Sequence, residues 1–380
     1  MADAPGGPLV GCRFVEMAGI GPAPFAAMVL ADLGAQGIRI ESPRPGLALG
    51  DPARDITRRG RAGVVVDLRQ DAGRELVLDL IAQSHILIEG FRPDVMERLG
   101  LGPEPCLARR PSLVYGRMTG WGQDGPWART AGHDIDYIAV AGVLAHIARH
   151  DQPPTPPLNL VGDYGGGAML LLVGVLSALW HAERTGQGQV VDAAMIDGAA
   201  LLMSLFHSMS ATGLWREEAG VNLLDSGAPF YDAYLTSDGK WLAVGCIEPQ
   251  FYAEWLRIAG IEADDLPAQY DVSGWPVLRE RFAAVIATRS RDEWSALADG
   301  SDACVAPVLT MSEAPMHPHV SARGTFIDVD GVTQAAPAPR FSRTPTGAPG
   351  PVSVANPAVL GDWGIDEARI SALAADGIVA

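Results

Sequence analysis

The chain has 380 residues, 48% of them hydrophobic and 19% charged. It is longer than one usual domain of about 100–200 residues and lacks the low-hydrophobicity signature of disorder, so a large domain with a smaller one is expected. A formal net charge of −17 excludes a general nucleic-acid binder, which needs a cationic face to displace counterions from phosphates.

Met1-Ala2-Asp3-Ala4-Pro5 has no basic stretch followed by an apolar one, so a cytoplasmic location is expected rather than secretion. The first hundred residues alternate β-rich runs with helical segments, the pattern of a parallel sheet covered by helices. A first strand fits Val10 to Met17. It leads through Gly19-Ile-Gly21-Pro22 into a helix at Pro24 to Leu33, with Gly34 as its left-handed cap, and then into a strand at Ile38 to Glu41. Strands are predicted at Gly63 to Asp67, His85 to Glu89 and Leu113 to Arg117, and a helix between Asp71 and Gln83. Arg39, Arg44, Arg54, Arg58, Arg59, Arg61, Arg69, Arg74, Arg92 and Arg98 crowd the same region. They read either as a solvated surface or as a site for a small polyanion such as a nucleotide diphosphate.

A loop rich in Pro, Arg and His spans 148–157, before a buried helix from Gly165 to His181. The apolar run Ala168 to Trp180 falls short of the roughly 20 residues of a membrane span. Asp192 to Leu214 reads as one long helical stretch, whose Met195, Met203 and Met209 suit core filling. A second α/β region has a strand at Trp241 to Gly245 and helices at Gln250 to Ile258 and Val277 to Ile286, and a short helix near Asp366 to Ala375 closes the chain. The expected organisation is a Rossmann-like large domain at 1–190 completed by 322–380, a helical linker at 191–228, a small α/β domain at 229–305 and a return linker at 306–321. Cys12, Cys106, Cys246 and Cys304 have no CxxC or metal spacing and read as reduced structural thiols, and His317-Pro-His319 reads as a loop pair.

The Gly19-x-Gly21 turn, with Glu41 twenty residues beyond, invites a dinucleotide-binding reading, but Pro24 stands where the third glycine of that fingerprint belongs. The chain contains no GxxxxGK[ST], HExxH or GxSxG. Acid–base chemistry remains. Its candidates are His133 in Gly-His133-Asp134-Ile-Asp136-Tyr137 and Asp163 in Gly162-Asp163-Tyr-Gly-Gly-Gly167. Asp163 has the form of a helix N-cap, which would satisfy first-turn amides, and His133 could equally be a core histidine. Yet three glycines allow a ligand close to the backbone, and amides at a helix start hold developing negative charge.

Several stretches resemble the family III CoA-transferase superfamily, in its α-methylacyl-CoA racemase branch. They are Leu30-Ala-Asp-Leu-Gly-Ala35 with Arg39-Ile-Glu41, Val66-Asp-Leu68, Glu89-Gly-Phe-Arg-Pro93, Met96-Glu-Arg-Leu-Gly-Leu101, Met118-Thr-Gly-Trp-Gly-Gln123, Arg340-Phe-Ser-Arg-Thr-Pro345 and Leu360-Gly-Asp362. The transferases of this superfamily carry Gly-Asp-x-x-Thr-Gly, whose aspartate attacks the thioester; the threonine is missing here, although a transferase using Asp163 as covalent nucleophile stays the alternative. The racemases add a histidine in Gly-His-Asp and a glutamate in Ile-Glu-Pro-Gln-Phe-Tyr, matched by His133 and Glu248. The resemblance implies interconversion of (R)- and (S)-2-methylacyl-CoA by proton transfer through an enolate, with His133 and Asp163 as the two bases, Glu248 tuning His133 and the Asp163 amide holding the oxyanion. It implies Arg39 and Val66 beside adenosine, Arg92 and Arg98 at phosphates, and Asp134 and Tyr137 along pantetheine. It also implies no metal or further cofactor, and an interlocked homodimer.

Overall fold

The computed structural model describes residues 6–44, 46–47, 50–352 and 354–380, so the reading of Met1 to Pro5 lies outside the described residues. The chain forms two compact units. The first comprises Met1–Ala141, Pro157–Met203 and Gly324–Ala380, and the second Gly142–Pro156 and Ser204–Arg323.

The first unit is built on β1 (Arg13–Met17), α1 (Pro22–Asp32), β2 (Gln36–Glu41), β3 (Arg61–Val65), α2 (Asp71–Ala82), β4 (Ile86–Glu89), α3 (Val95–Arg98), α4 (Pro103–Arg109), β5 (Val114–Thr119), α5 (Asp134–Val140), α6 (Met169–Thr185), β6 (Gln189–Ala194) and α7 (Met195–Leu202). All six strands run parallel in the order β3-β2-β1-β4-β5-β6. The inner strands β1, β4 and β5 are buried on both faces and are rich in apolar residues, whereas the edge strand β6 is largely exposed. Successive side chains point to opposite faces: Val15, Leu87 and Tyr115 pack with α2 and the C-terminal Trp363, whereas Phe14, Ile86 and Val114 pack with α1 and α6.

Two expectations change between residues 160 and 202. Asp192 to Leu214 is not one helical stretch: 192–194 end the edge strand β6, whose Val190 and Val191 sit in register with Tyr115 and Gly116, and α7 stops at Leu202. Nor does the helix before it begin at Gly165. A π-helical segment, Leu160–Ala168, runs straight into α6. Together they make 26 residues, long and apolar enough by length and composition to cross a membrane, which corrects the shorter estimate. In this fold Leu171, Leu172, Val175 and Ala178 of α6 are buried against the sheet. Gly186, at φ 73°, ends α6 in the left-handed conformation that glycine adopts without steric cost.

In the second unit α8 (Ser204–Ala211) is followed by β7 (Asp232–Leu235), β8 (Trp241–Val244), α9 (Pro249–Ala259), α10 (Trp275–Ile286), α11 (Arg291–Ala298), β9 (Val305–Pro307) and α12 (Pro318–Arg323). The strands form an antiparallel sheet, β7-β8-β9, over a core of Phe230, Trp255, Phe282 and Trp294. Residues 142–156 cluster with this unit, not with the first 190 residues, because Arg149 makes two bonds of 3.0 and 2.7 Å to Asp232 and His146 packs on Trp215. The chain then returns to the first unit as a hairpin, β10 (Phe326–Val329) and β11 (Val332–Ala335), and ends in α13 (Glu367–Ala375).

Candidate active site

A cleft of about 860 Å3 opens in the first unit beyond the carboxyl ends of β1 and β4, between which the strand order reverses. Open α/β sheets hold ligands at such a switch point. Its walls come from the turn after β1 (Gly19 to Pro24), the loop after β4 (Gly90 to Pro93), the end of β5 (Thr119 to Trp121), the start of α5 and the π-helical segment.

Of the residues singled out from sequence, the cleft brings together Arg39, Arg92, His133, Asp134, Tyr137 and Asp163. It does not include Val66, which is fully buried in the core with its amide bonded to Glu41, nor Arg98, exposed at the end of α3. Glu248 belongs to the second unit, exposed at the N-cap of α9.

Asp163 does not cap a helix. It lies inside the π-helical segment, half-buried, and its carboxylate accepts a 3.0 Å hydrogen bond from Asn159, one turn earlier. Burial pushes its pKa above the ordinary carboxylate value; the Asn159 bond and the nearby His133 oppose that, and Asp134 adds to it. The turn at Gly21, φ 73°, faces this carboxylate so closely that a Cβ there would sit 3.1 Å from Oδ2. Gly21 therefore makes room for Asp163, a use unrelated to a pyrophosphate fingerprint, whereas a Cβ on Gly19 would meet nothing among the described residues.

The expected oxyanion donor is already engaged: the Asp163 amide donates to Asp134 Oδ2 at 2.7 Å. Nor does the glycine run admit a ligand, since a Cβ on Gly166 would meet Ala199 N at 2.6 Å and one on Gly167 would meet Met195 at 2.8 Å. These glycines let the π-helical segment pack against α7. The free amide lies elsewhere. His133 is the N-cap of α5, its own N–H held by Asp136 at 2.9 Å, and the next amide, of Asp134, has no acceptor among the described residues, as first-turn amides have none within a helix. Asp134 is thus joined in sequence to His133 and by hydrogen bond to Asp163, and its second oxygen, Oδ1, is buried without a partner among the described residues. Tyr137 is packed over Gly120 and Gly132 with its hydroxyl bonded to the Gly132 carbonyl, and burial pushes its pKa up to about 12, so the phenol stays protonated at neutral pH.

The arginines divide sharply. Glu16, with no exposed surface, binds both Arg39 and Arg61; Asp32 binds Arg59; Glu41 binds Arg58; Asp67 and Asp71 bind Arg69 and Arg74. Arg39 and Arg58 still line the cleft, but with guanidiniums engaged by carboxylates. Arg92 lines it exposed, with no ion-pair partner among the described residues. Asn159 escaped the sequence reading; it stands just before the π-helical segment, four residues from Asp163, where its side chain reaches the carboxylate.

A model of CoA-transferase family III matches residues 9–362. The chain is 42% identical over 379 residues to the alpha-methylacyl-CoA racemase of Mus musculus, covering 98% of this chain and 97% of that one. It is 43% identical over 340 residues to the alpha-methylacyl-CoA racemase of Homo sapiens, covering 89% and 87%. Among solved structures it is similar to a CAIB/BAIF family protein from Brucella suis, with a TM-score of 0.81 and 25% identity over 94% of this chain and 100% of that one.

Proposed function

The chain belongs to CoA-transferase family III, and we propose that it is active as an α-methylacyl-CoA racemase, interconverting (R)- and (S)-2-methylacyl-CoA. The observation that carries this reading is the pairing of His133 with Asp163 on one cleft, tied together through Asp134, in a Gly-Asp segment without the transferase threonine. Inversion needs one base on each face of a planar enolate, one deprotonated and one protonated at the start. The raised pKa of Asp163 supports such sharing of a proton with an imidazole.

In this reading His133 and Asp163 are the bases, and the thioester oxygen is held by the free amide of Asp134 at the start of α5. An oxyanion donor of this kind is worth about 3–4 kcal/mol of barrier. Arg92 supplies the unpaired guanidinium for the phosphates of CoA, with Arg39 and Tyr137 as walls. Glu248 of the partner subunit meets His133 in an interlocked homodimer. The apolar face that α6 leaves exposed, Met169, Val173 and Trp180, supports that association. The protein works in the cytoplasm on a CoA thioester and needs no cofactor beyond it.

The test is to incubate single enantiomers of 2-methylacyl-CoA esters in D2O and follow configuration and mass. Inversion with one deuteron at the α-carbon is expected from either enantiomer. A hydroxylamine-trapped acyl anhydride on Asp163, with CoA passed to an acceptor acid and no inversion, establishes the transferase instead.

A further inference from the structure

We infer that Glu89 is a positioning residue that fixes the loop presenting Arg92 to the phosphates of CoA, an inference that rests on the CoA reading of the cleft. Glu89 is the last residue of β4 and has no exposed surface. Its two oxygens are used separately. Oε2 accepts the Phe91 amide at 2.7 Å, and Oε1 accepts Arg117 Nε at 3.0 Å. The other face of the Arg117 guanidinium holds Glu97 at 2.8 and 3.2 Å. One chain of charge-assisted bonds therefore runs from β4 through β5 to α3 and clamps residues 90–97 at both ends. Within that span Gly90 to Pro93 line the cleft, and Arg92 is the guanidinium left unpaired.

Charge-assisted bonds are the strong ones, and a planar Arg bridging two carboxylates fixes orientation as well as distance. The charged groups facing Glu89 are Arg117 from β5 and Glu97 from α3, with the phenol of Tyr115 on β5; Asp192 of β6 sits in register with Arg117. Burial pushes the Glu89 pKa up to about 7 against the pull of the Phe91 amide and Arg117. Above that pH the carboxylate clamps the loop; below it the neutral acid releases one charge-assisted bond.

The experiment is calorimetric titration of dephospho-CoA into the full chain between pH 6 and 8.5. Dephospho-CoA is chosen because it lacks the 3′-phosphate, which itself titrates in that range. Wild-type affinity is expected to fall as pH drops through about 7. Glu89→Gln should bind about tenfold more weakly at pH 8, as for one lost charge-assisted bond, and show no pH dependence, with kcat at saturating substrate little changed. Glu97→Gln, on a partly exposed side chain, should weaken binding less and keep the slope. Wild-type affinity in Glu89→Gln, or a weakened affinity that keeps the wild-type slope, overturns the proposal. If Glu89→Gln does not fold, a flat wild-type profile or an unaffected Glu97→Gln overturns it. Failure of the wild type to bind dephospho-CoA at any pH removes the CoA reading, and this inference with it, and is told apart from failure of Glu89 alone by the wild-type titration.

Discussion

Two groups of charged residues, one lining the cleft and one packed mostly behind it, are held in opposite ways. Around His133 and Asp163 the polar groups are spare: among the described residues the Asp163 carboxylate has one side-chain donor, Asp134 Oδ1 has none, and the Asp134 amide has no acceptor. Around β1 to β3 the arginines are mostly spent within the protein, with Glu16, Asp32 and Glu41 each buried or half-buried against guanidiniums. Unsatisfied polar atoms in a buried wall are costly unless a ligand completes them, so the first group has the character of a reaction site. The second is a scaffold that leaves Arg92 at the cleft without an ion-pair partner among the described residues. Counting charges along a sequence cannot separate these two uses; counting their partners in the fold can.

The sharpest break of this comparison is removal of the spare groups. His133→Ala and Asp163→Ala should each lower inversion by about 10²–10⁴, the usual contribution of a positioned acid or base, while leaving stability close to wild type. In D2O each variant should still exchange the α-proton of one enantiomer with retention, since the surviving base works on its own face. Full inversion by folded His133→Ala would refute the two-base assignment.

The scaffold side should respond in stability instead. Arg59 holds Asp32 at 3.1 and 2.5 Å and also reaches Gln334 and Ala335 of β11, and neither Arg59 nor Asp32 lines the cleft. Arg59→Ala leaves a buried carboxylate unpaired and should cost about 3–5 kcal/mol in urea unfolding. The kcat of the protein that remains folded should be unchanged.

Arg92 and Arg98 sharpen the contrast at smaller amplitude. Arg92→Ala should weaken CoA binding by about 1.5–3 kcal/mol, tenfold or more, and reduce its salt dependence. Arg98→Ala, outside the lining, should change it less. Equal losses in both would mean that the end of α3 also reaches the phosphates.

How much of this was legible depended on the local signal. Strands β1 to β5 were readable because apolar runs alternate with glycine and polar turns, and the resemblance carried by the Gly-His133-Asp and Gly-Asp163 contexts pointed to two residues that the fold places on one cleft. The Val190 to Leu202 stretch was not, because the edge strand runs at Ala194–Met195 directly into a helix, with no glycine, proline or polar turn residue between them to mark the change. The hairpin at 326–335 carried its signal unread: Asp330 and Gly331 both have positive φ, the type I′ turn that Asp-Gly favours. What no linear pattern could give was the pairing of Arg39 and Arg61 with Glu16, the use of Gly166 and Gly167 for packing, or the capture of the Asp163 amide by Asp134, because these depend on residues from 23 to 45 positions apart, or on which face of a helix meets α7.

The smallest expected effect tests the tuning of the reaction site. The Asn159 amide donates to the Asp163 carboxylate and so favours its charged form, opposing the burial that raises its pKa. Asn159→Ala removes that donor and adds nothing in its place, so the Asp163 pKa must rise further. On the two-base proposal the active protein is the form in which His133 and Asp163 share one proton, and the acidic limb of its pH profile marks the loss of that form when Asp163 takes up a second. That limb should therefore move to higher pH in Asn159→Ala while the alkaline limb stays where it is. Both enantiomers should show the same displacement, because forward and reverse inversion use the same singly protonated pair. Below the limb kcat/KM should fall by about tenfold at most, the worth of one hydrogen bond to a charged group, and above it the variant should approach wild type. A limb that does not move, in a variant with normal CoA affinity, would mean that Asp163 does not govern the acidic side of the profile.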